Sequence, residues 1–164
     1  MRALDLADAV LIGLGATLLI DLWALLLRHA LSVRSLDYCL LGRWVLHIPR
    51  GVVRHKNIIA AAPQPHECAI GWTMHYLIGT TFALVFVLLA SGGWLARPTL
   101  LPALAFGAST VVVPFFTMQP ALGLGIASSK TPNPNRARLK SLMTHTVFGL
   151  GLYVSAVLLS ALRL

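Results

Sequence analysis

The chain has 164 residues, 57% of them hydrophobic and 11% charged, with a mean hydropathy of +0.80. Its length is that of one domain, and its composition excludes the water-soluble class. The formal net charge of +8 sits in loops between apolar runs, where orientation in a membrane is its usual cause, so nucleic acid is not expected as a partner. The expected fold is all-α: a polytopic membrane protein of one domain, 1–164, with four transmembrane helices at about 9–27, 69–90, 99–127 and 141–162 and a cytoplasmic interfacial helix at about 35–48.

The opening MRALDLADAV is acidic and leads straight into the first span, so no removable signal peptide is expected. The only charge of that span is Asp21. A carboxylate near the middle of a spanning helix costs roughly 2.5–3.5 kcal/mol even on a lenient insertion scale, so it faces protein, water or a partner instead of lipid. Gly13, Thr17 and Asp21 recur every fourth residue and share one helix face.

The connection from Arg28 to Glu67 carries Arg28, Arg34, Arg43, Arg50, Arg54 and Lys56. Ser35 is placed to cap the interfacial helix and Pro49 to stop it, with Arg43, His47 and Arg50 on one side against Leu40, Leu41, Trp44 and Ile48. These arginines are expected to form a solvated surface facing lipid head groups. Cys39 and Cys68 have no metal-finger or CxxC spacing and are expected as reduced thiols at the cytoplasmic face.

The second span holds His75 between Gly71 and Gly79, four residues to each side, with Trp72 and Tyr76 beside it. A short link with Gly92, Gly93 and Arg97 leads to an uncharged third run, Thr99 to Ala127, where Pro114 and Pro120 are expected to break the helix around Met118 and Gln119. The next loop, SSKTPNPNRARLK, offers Asn133 as a cap and Pro134 as a first helical residue. Its Lys130, Arg136, Arg138 and Lys140 are candidate contacts for an anionic lipid or phosphate, and equally a positive-inside anchor. The fourth span puts Ser141, His145 and Gly149 on one face.

Counted by side, ten Lys and Arg stand in the first and third loops against three in the termini and second loop. This places the long loops in the cytoplasm and both termini on the outer, periplasmic side. Asp21, His75, Gln119 and His145 then lie at similar depth, roughly 7–14 Å inside the cytoplasmic boundary at 1.5 Å per residue. One polar group per span at one depth is the pattern of a shared buried site for a ligand or a proton.

The residues leave several uses of that layer open. A structural network, bound to nothing, is one. Asp21, His75 and His145 also make three ligands for a divalent metal, completed by Gln119, Met118 or water, in a protein that binds or passes a small cation. A proton-linked carrier would use the same groups, and a b-type haem would lie between His75 and His145. No HExxH or related motif supports an enzyme, which is the less favoured class. Transport on four spans would call for a homo-oligomer in the lipid bilayer.

The segments LGRW from Leu41, HIPRG from His47, AAAPQPHE from Ala60, GWTMHYLIG from Gly71, FTMQPALGLGIASSKTPNP from Phe116 and SLMTHTVFGLGLY from Ser141 carry a resemblance. With them the chain resembles a bacterial family of small four-span membrane proteins catalogued as a domain of unknown function. The resemblance implies a bacterial inner membrane, and assigns no activity, cofactor or catalytic residue.

Overall fold

Leu18, Leu22, Leu25 and Leu26 of the first apolar run stay exposed while Ala9, Ile12 and Ala16 are buried. A helix that is apolar all round suits a lipid surround, its small residues facing protein. The computed structural model describes residues 3–33, 35–90 and 93–162. Arg34 and Gly92, and the terminal Arg2 and Arg163 of the charge count, lie outside the described residues.

Among the described residues every element is a helix or a 3₁₀ turn. The α-helices are α1 (Ala3–Leu31), α2 (Tyr38–His47), α3 (Glu67–Leu89), α4 (Leu100–Ser109), α5 (Val112–Phe116), α6 (Met118–Ala121) and α7 (Pro134–Ala161). Among the described residues four segments are long and apolar enough to cross a membrane: Leu6–Leu31, Glu67–Leu89, Leu100–Ala121 and Pro134–Ala161. The chain is an all-α polytopic membrane protein.

The third of these segments is broken into α4, α5 and α6. Pro114 and Pro120 each fall in the first turn of a new short helix, where a missing N–H costs no intrahelical bond. Carbonyls near the breaks are taken by hydroxyls of the same segment. Ser109 Oγ donates to Phe106 O at 2.7 Å, Thr110 Oγ1 to Gly107 O at 2.6 Å and Thr117 Oγ1 to Val113 O at 2.6 Å.

The chain divides into two compact units. The first comprises Met1–Ser35, Tyr76–Thr110 and Met143–Leu164, and the second Leu36–His75 and Val111–Leu142.

In the first unit the helices meet through small residues. A Cβ on Gly13 would meet Thr80 Cα at 2.6 Å, one on Gly151 would meet Ala16 Cα at 2.7 Å, and one on Gly107 would collide with Gly149. The core around these contacts is Ile12, Ala16, Ile20, Ala83, Phe86, Trp94, Ala103, Phe148, Leu152 and Ala156. Phe86 meets Trp94 edge-on at 4.6 Å between ring centres, and the indole N–H donates to Thr99 O at 3.2 Å.

In the second unit α2 lies against the start of α3. A Cβ on Gly42 would collide with the Glu67 carbonyl oxygen, and one on Gly71 with that of Tyr38. This close crossing brings Cys39 and Cys68, 29 residues apart in sequence, into a disulfide. The expectation of reduced thiols is therefore corrected: sequence spacing shows no pairing, because the pairing arises where two glycines let the backbones touch. Asp37, not Ser35, caps α2 by accepting from Cys39 N–H at 2.9 Å. Pro49 falls inside a 3₁₀ turn, Ile48–Arg50, which ends at Gly51 in the left-handed region, φ 78°.

Candidate functional site

Asp21 is half-buried on α1, whose Thr17 returns its hydroxyl to Gly13 O at 2.7 Å. The Tyr76 hydroxyl donates to Asp21 Oδ2 at 2.8 Å. On α7 of the same unit, His145 Nδ1 lies 2.7 Å from Thr110 Oγ1. Thr110 has one hydroxyl hydrogen and gives it to Gly107 O, so His145 donates from Nδ1 and keeps Nε2 as the acceptor nitrogen. The first unit thus holds a carboxylate–phenol pair and an imidazole–hydroxyl pair within apolar helices.

His75 and Gln119 belong to the second unit. His75 stacks on Tyr38 with ring centres 3.9 Å apart and meets Trp72 edge-on at 5.9 Å. Gln119 is buried; it accepts from Ser128 Oγ at 3.0 Å and donates to Ser141 Oγ at 3.4 Å. Each of the four expected layer residues therefore has polar or ring neighbours inside its own unit. Among the described residues no group of three His, Cys, Asp and Glu side chains is placed to hold a metal ion.

Of the basic residues after the third span, Arg138 is turned inward. Its Nε donates to Ala127 O at 2.9 Å and its Nη1 to Asn135 Oδ1 at 3.1 Å. It thereby braces a loop whose Ala127 and Ser128 are left-handed, φ 46° and 59°. Lys130 and Arg136 are exposed, and Lys140 is half-buried.

The interfacial helix does not present all its cations to solvent. Arg43 Nε and Nη2 hold Glu67 Oε2 and Oε1 at 2.9 and 2.7 Å, while Nη1 donates to the carbonyls of Ile58, Ile59 and Ala61 at 3.3, 3.3 and 3.0 Å. The hydrogen bond to Glu67 raises the Arg43 pKa above its ordinary value against the opposing effect of burial. Glu67 Oε2 also accepts from Gln64 N–H at 2.7 Å. Trp44 Nε1 donates to Val53 O at 2.8 Å.

Sequence reasoning missed Tyr76, Thr110 and Tyr38 as partners of the polar layer, and Glu67 as the partner of Arg43. Tyr76 was within reach of that reasoning, since it adjoins His75 and is one of two tyrosines in the spans. Glu67 carried a signal too, as the single acidic residue of the return into α3.

Fold and polar side chains together define a polytopic membrane protein with hydrogen-bonded ionisable groups inside its spans. The chain belongs to the family described as protein of unknown function DUF2938, which it matches over residues 10–159. No curated protein and no solved structure matches it.

Proposed function

We propose that this protein binds or passes a small cation, and that the cation is the proton. The observation that carries this reading is the hydrogen bond from Tyr76 to Asp21 at 2.8 Å inside an apolar helix bundle. A carboxylate there is costly where a serine would serve as packing glue, and it offers an exchangeable proton position held in place by a phenol already in contact. His145, in the same unit, adds an imidazole whose Nε2 is left as an acceptor for a proton. A divalent metal would ask for ligands whose lone pairs converge on one point, whereas these groups stand in hydrogen-bonded pairs. No covalent chemistry is invoked.

The setting proposed with this function is a bacterial inner membrane crossed several times, both termini periplasmic. Ten Lys and Arg against three support that orientation. A lasting disulfide between Cys39 and Cys68 pulls the other way, because such bonds persist in oxidising compartments. A membrane-impermeant thiol reagent applied to intact cells after mild reduction decides the matter, and labelling from outside overturns the proposed orientation.

The function is tested with purified protein in liposomes carrying an internal pH dye. Proton uptake driven by a potential is expected from the native chain and not from Asp21→Asn, with both inserted and folded. Equal uptake by the two would end the proposal. No uptake by either, with a lowered melting temperature in the variant, would leave Asp21 a structural residue.

A further inference from the structure

Two buried ring nitrogens in the second unit have no hydrogen-bond partner, His47 Nδ1 and His55 Nε2. Their rings stand 5.0 Å apart between centres, tilted by 46°. Leaving a buried polar atom without a partner is costly, so two on neighbouring rings ask for a shared occupant.

The surrounding fold holds both rings in place. His47 is the last residue of α2 and is 9% exposed. Its other ring nitrogen, Nε2, lies 3.1 Å from Gln64 Nε2. The His55 backbone N–H donates to Ala121 O at 2.8 Å, and Ile58 N–H to Leu122 O at 3.1 Å, so the segment after Gly51 is tied to the end of α6. Arg43 fixes the remainder of the loop through Glu67 and three carbonyls.

We propose that His47 and His55 are the protein ligands of a divalent transition-metal site, with zinc the best-suited ion and water in the remaining positions. Two imidazoles bound to one zinc at about 2.0–2.1 Å and a near-tetrahedral angle put their ring centres about 5 Å apart, the separation found here. Gln64 supplies the orienting contact that metal-bound histidines regularly have on the second nitrogen. For binding, the Gln64 amide turns over so that Oε1 accepts Nε2–H of His47, which leaves the lone pair on Nδ1. The Ala62 carbonyl, to which Gln64 Nε2 now donates at 3.1 Å, is exposed and takes water instead. Neutral imidazole is the form that binds metal. This site is separate from the proton-exchanging groups of the first unit and does not depend on them.

The test uses the full chain in mild detergent, stripped with chelator and titrated with Co²⁺ while ligand-field absorption is followed, then with competing Zn²⁺. One equivalent is expected, with affinity lowered about tenfold or more in His47→Ala and in His55→Ala. It should be unchanged in the His75→Ala, His145→Ala double variant, which removes the intramembrane imidazoles. Gln64→Glu supplies a stronger acceptor to Nε2–H and should tighten binding, so the site remains testable if His47→Ala misfolds. Absence of saturable binding to the native chain would show the two nitrogens bridged by water alone and overturn the proposal. Retention of native affinity in folded His55→Ala, or loss only in the His75, His145 double variant, would overturn it equally.

Discussion

The Arg43 guanidinium grips both carboxylate oxygens of Glu67, at 2.9 and 2.7 Å, with the two side chains only 11% and 12% exposed. The pair joins α2 to the first residue of α3, and the Nη1 amino group faces three loop carbonyls. Arg43→Ala would leave a largely buried carboxylate with its charge unpaired and the Gln64 N–H as its remaining donor. The expected cost is about 3–5 kcal/mol. Arg43→Lys keeps the charge but not the planar fork and should recover only part of it. Melting curves of detergent-solubilised protein, read with equal detergent and lipid content, measure both.

Gly42 and Gly71 make the second relationship between these helices. A methyl group at either position collides with a backbone oxygen, and backbone does not yield as a side-chain tip would. Gly42→Ala or Gly71→Ala should therefore destabilise by about 1–3 kcal/mol or more. Gly93, with nothing within 4 Å of an added Cβ, is the control. Gly93→Ala should stay within about 0.5 kcal/mol of the native protein.

Breaking the disulfide should loosen the same crossing. The bond spans 29 residues of sequence, and chain-entropy reasoning gives about 3–4 kcal/mol for a loop of that size. Cys39→Ser should lower the melting temperature, and dithiothreitol should lower that of the native protein toward the same value while leaving the variant unmoved. Maleimide labelling of native protein should require prior reduction.

Acid should weaken the second unit through His55. Burial, and after it the charge of His47, hold its pKa below the ordinary 6.5. Between the lowered folded value and the unfolded one the unfolded chain carries more protons, so stability rises with pH there. The contribution is complete above the unfolded value of about 6.5 and is lost as pH falls through and below it. Melting temperature measured from about pH 7.5 down to pH 5 should decline, and the decline should be shallower in His55→Gln.

Tyr76→Phe separates orientation from charge at Asp21. It removes one hydrogen bond, worth about 1.5–3 kcal/mol for a charged acceptor, while keeping the ring and the carboxylate. Liposome proton uptake should fall several-fold without vanishing, in contrast to Asp21→Asn.

The helical architecture was legible because its signals are one-dimensional: apolar runs of spanning length, punctuated by Pro114, Pro120 and Pro134. Breaks in the third segment follow from proline geometry, and α7 begins at Pro134. Asp21 was legible as a residue needing explanation, since its cost depends only on the apolar run around it. Its partner was not, because Tyr76 is 55 residues away and is chosen by helix rotation. The pairing of Cys39 with Cys68 escaped for a similar reason. It depends on how closely two glycine-bearing helices approach, and spacing along the chain does not encode that distance. His47 and His55, eight residues apart across a turn, gave no motif; their relation appears only once Gly51 reverses the chain.

The segment between Cys39 and Cys68 is a closed covalent ring that contains Arg43, Arg50, Arg54 and Lys56. A protease that cuts after Arg50, Arg54 or Lys56 would sever the backbone without parting the pieces. Nicked protein would migrate as one chain on a denaturing gel until thiol is added, and then as two. The loop that carries four of the 13 Lys and Arg residues is thus also the place where the polypeptide tolerates a cut and stays one molecule.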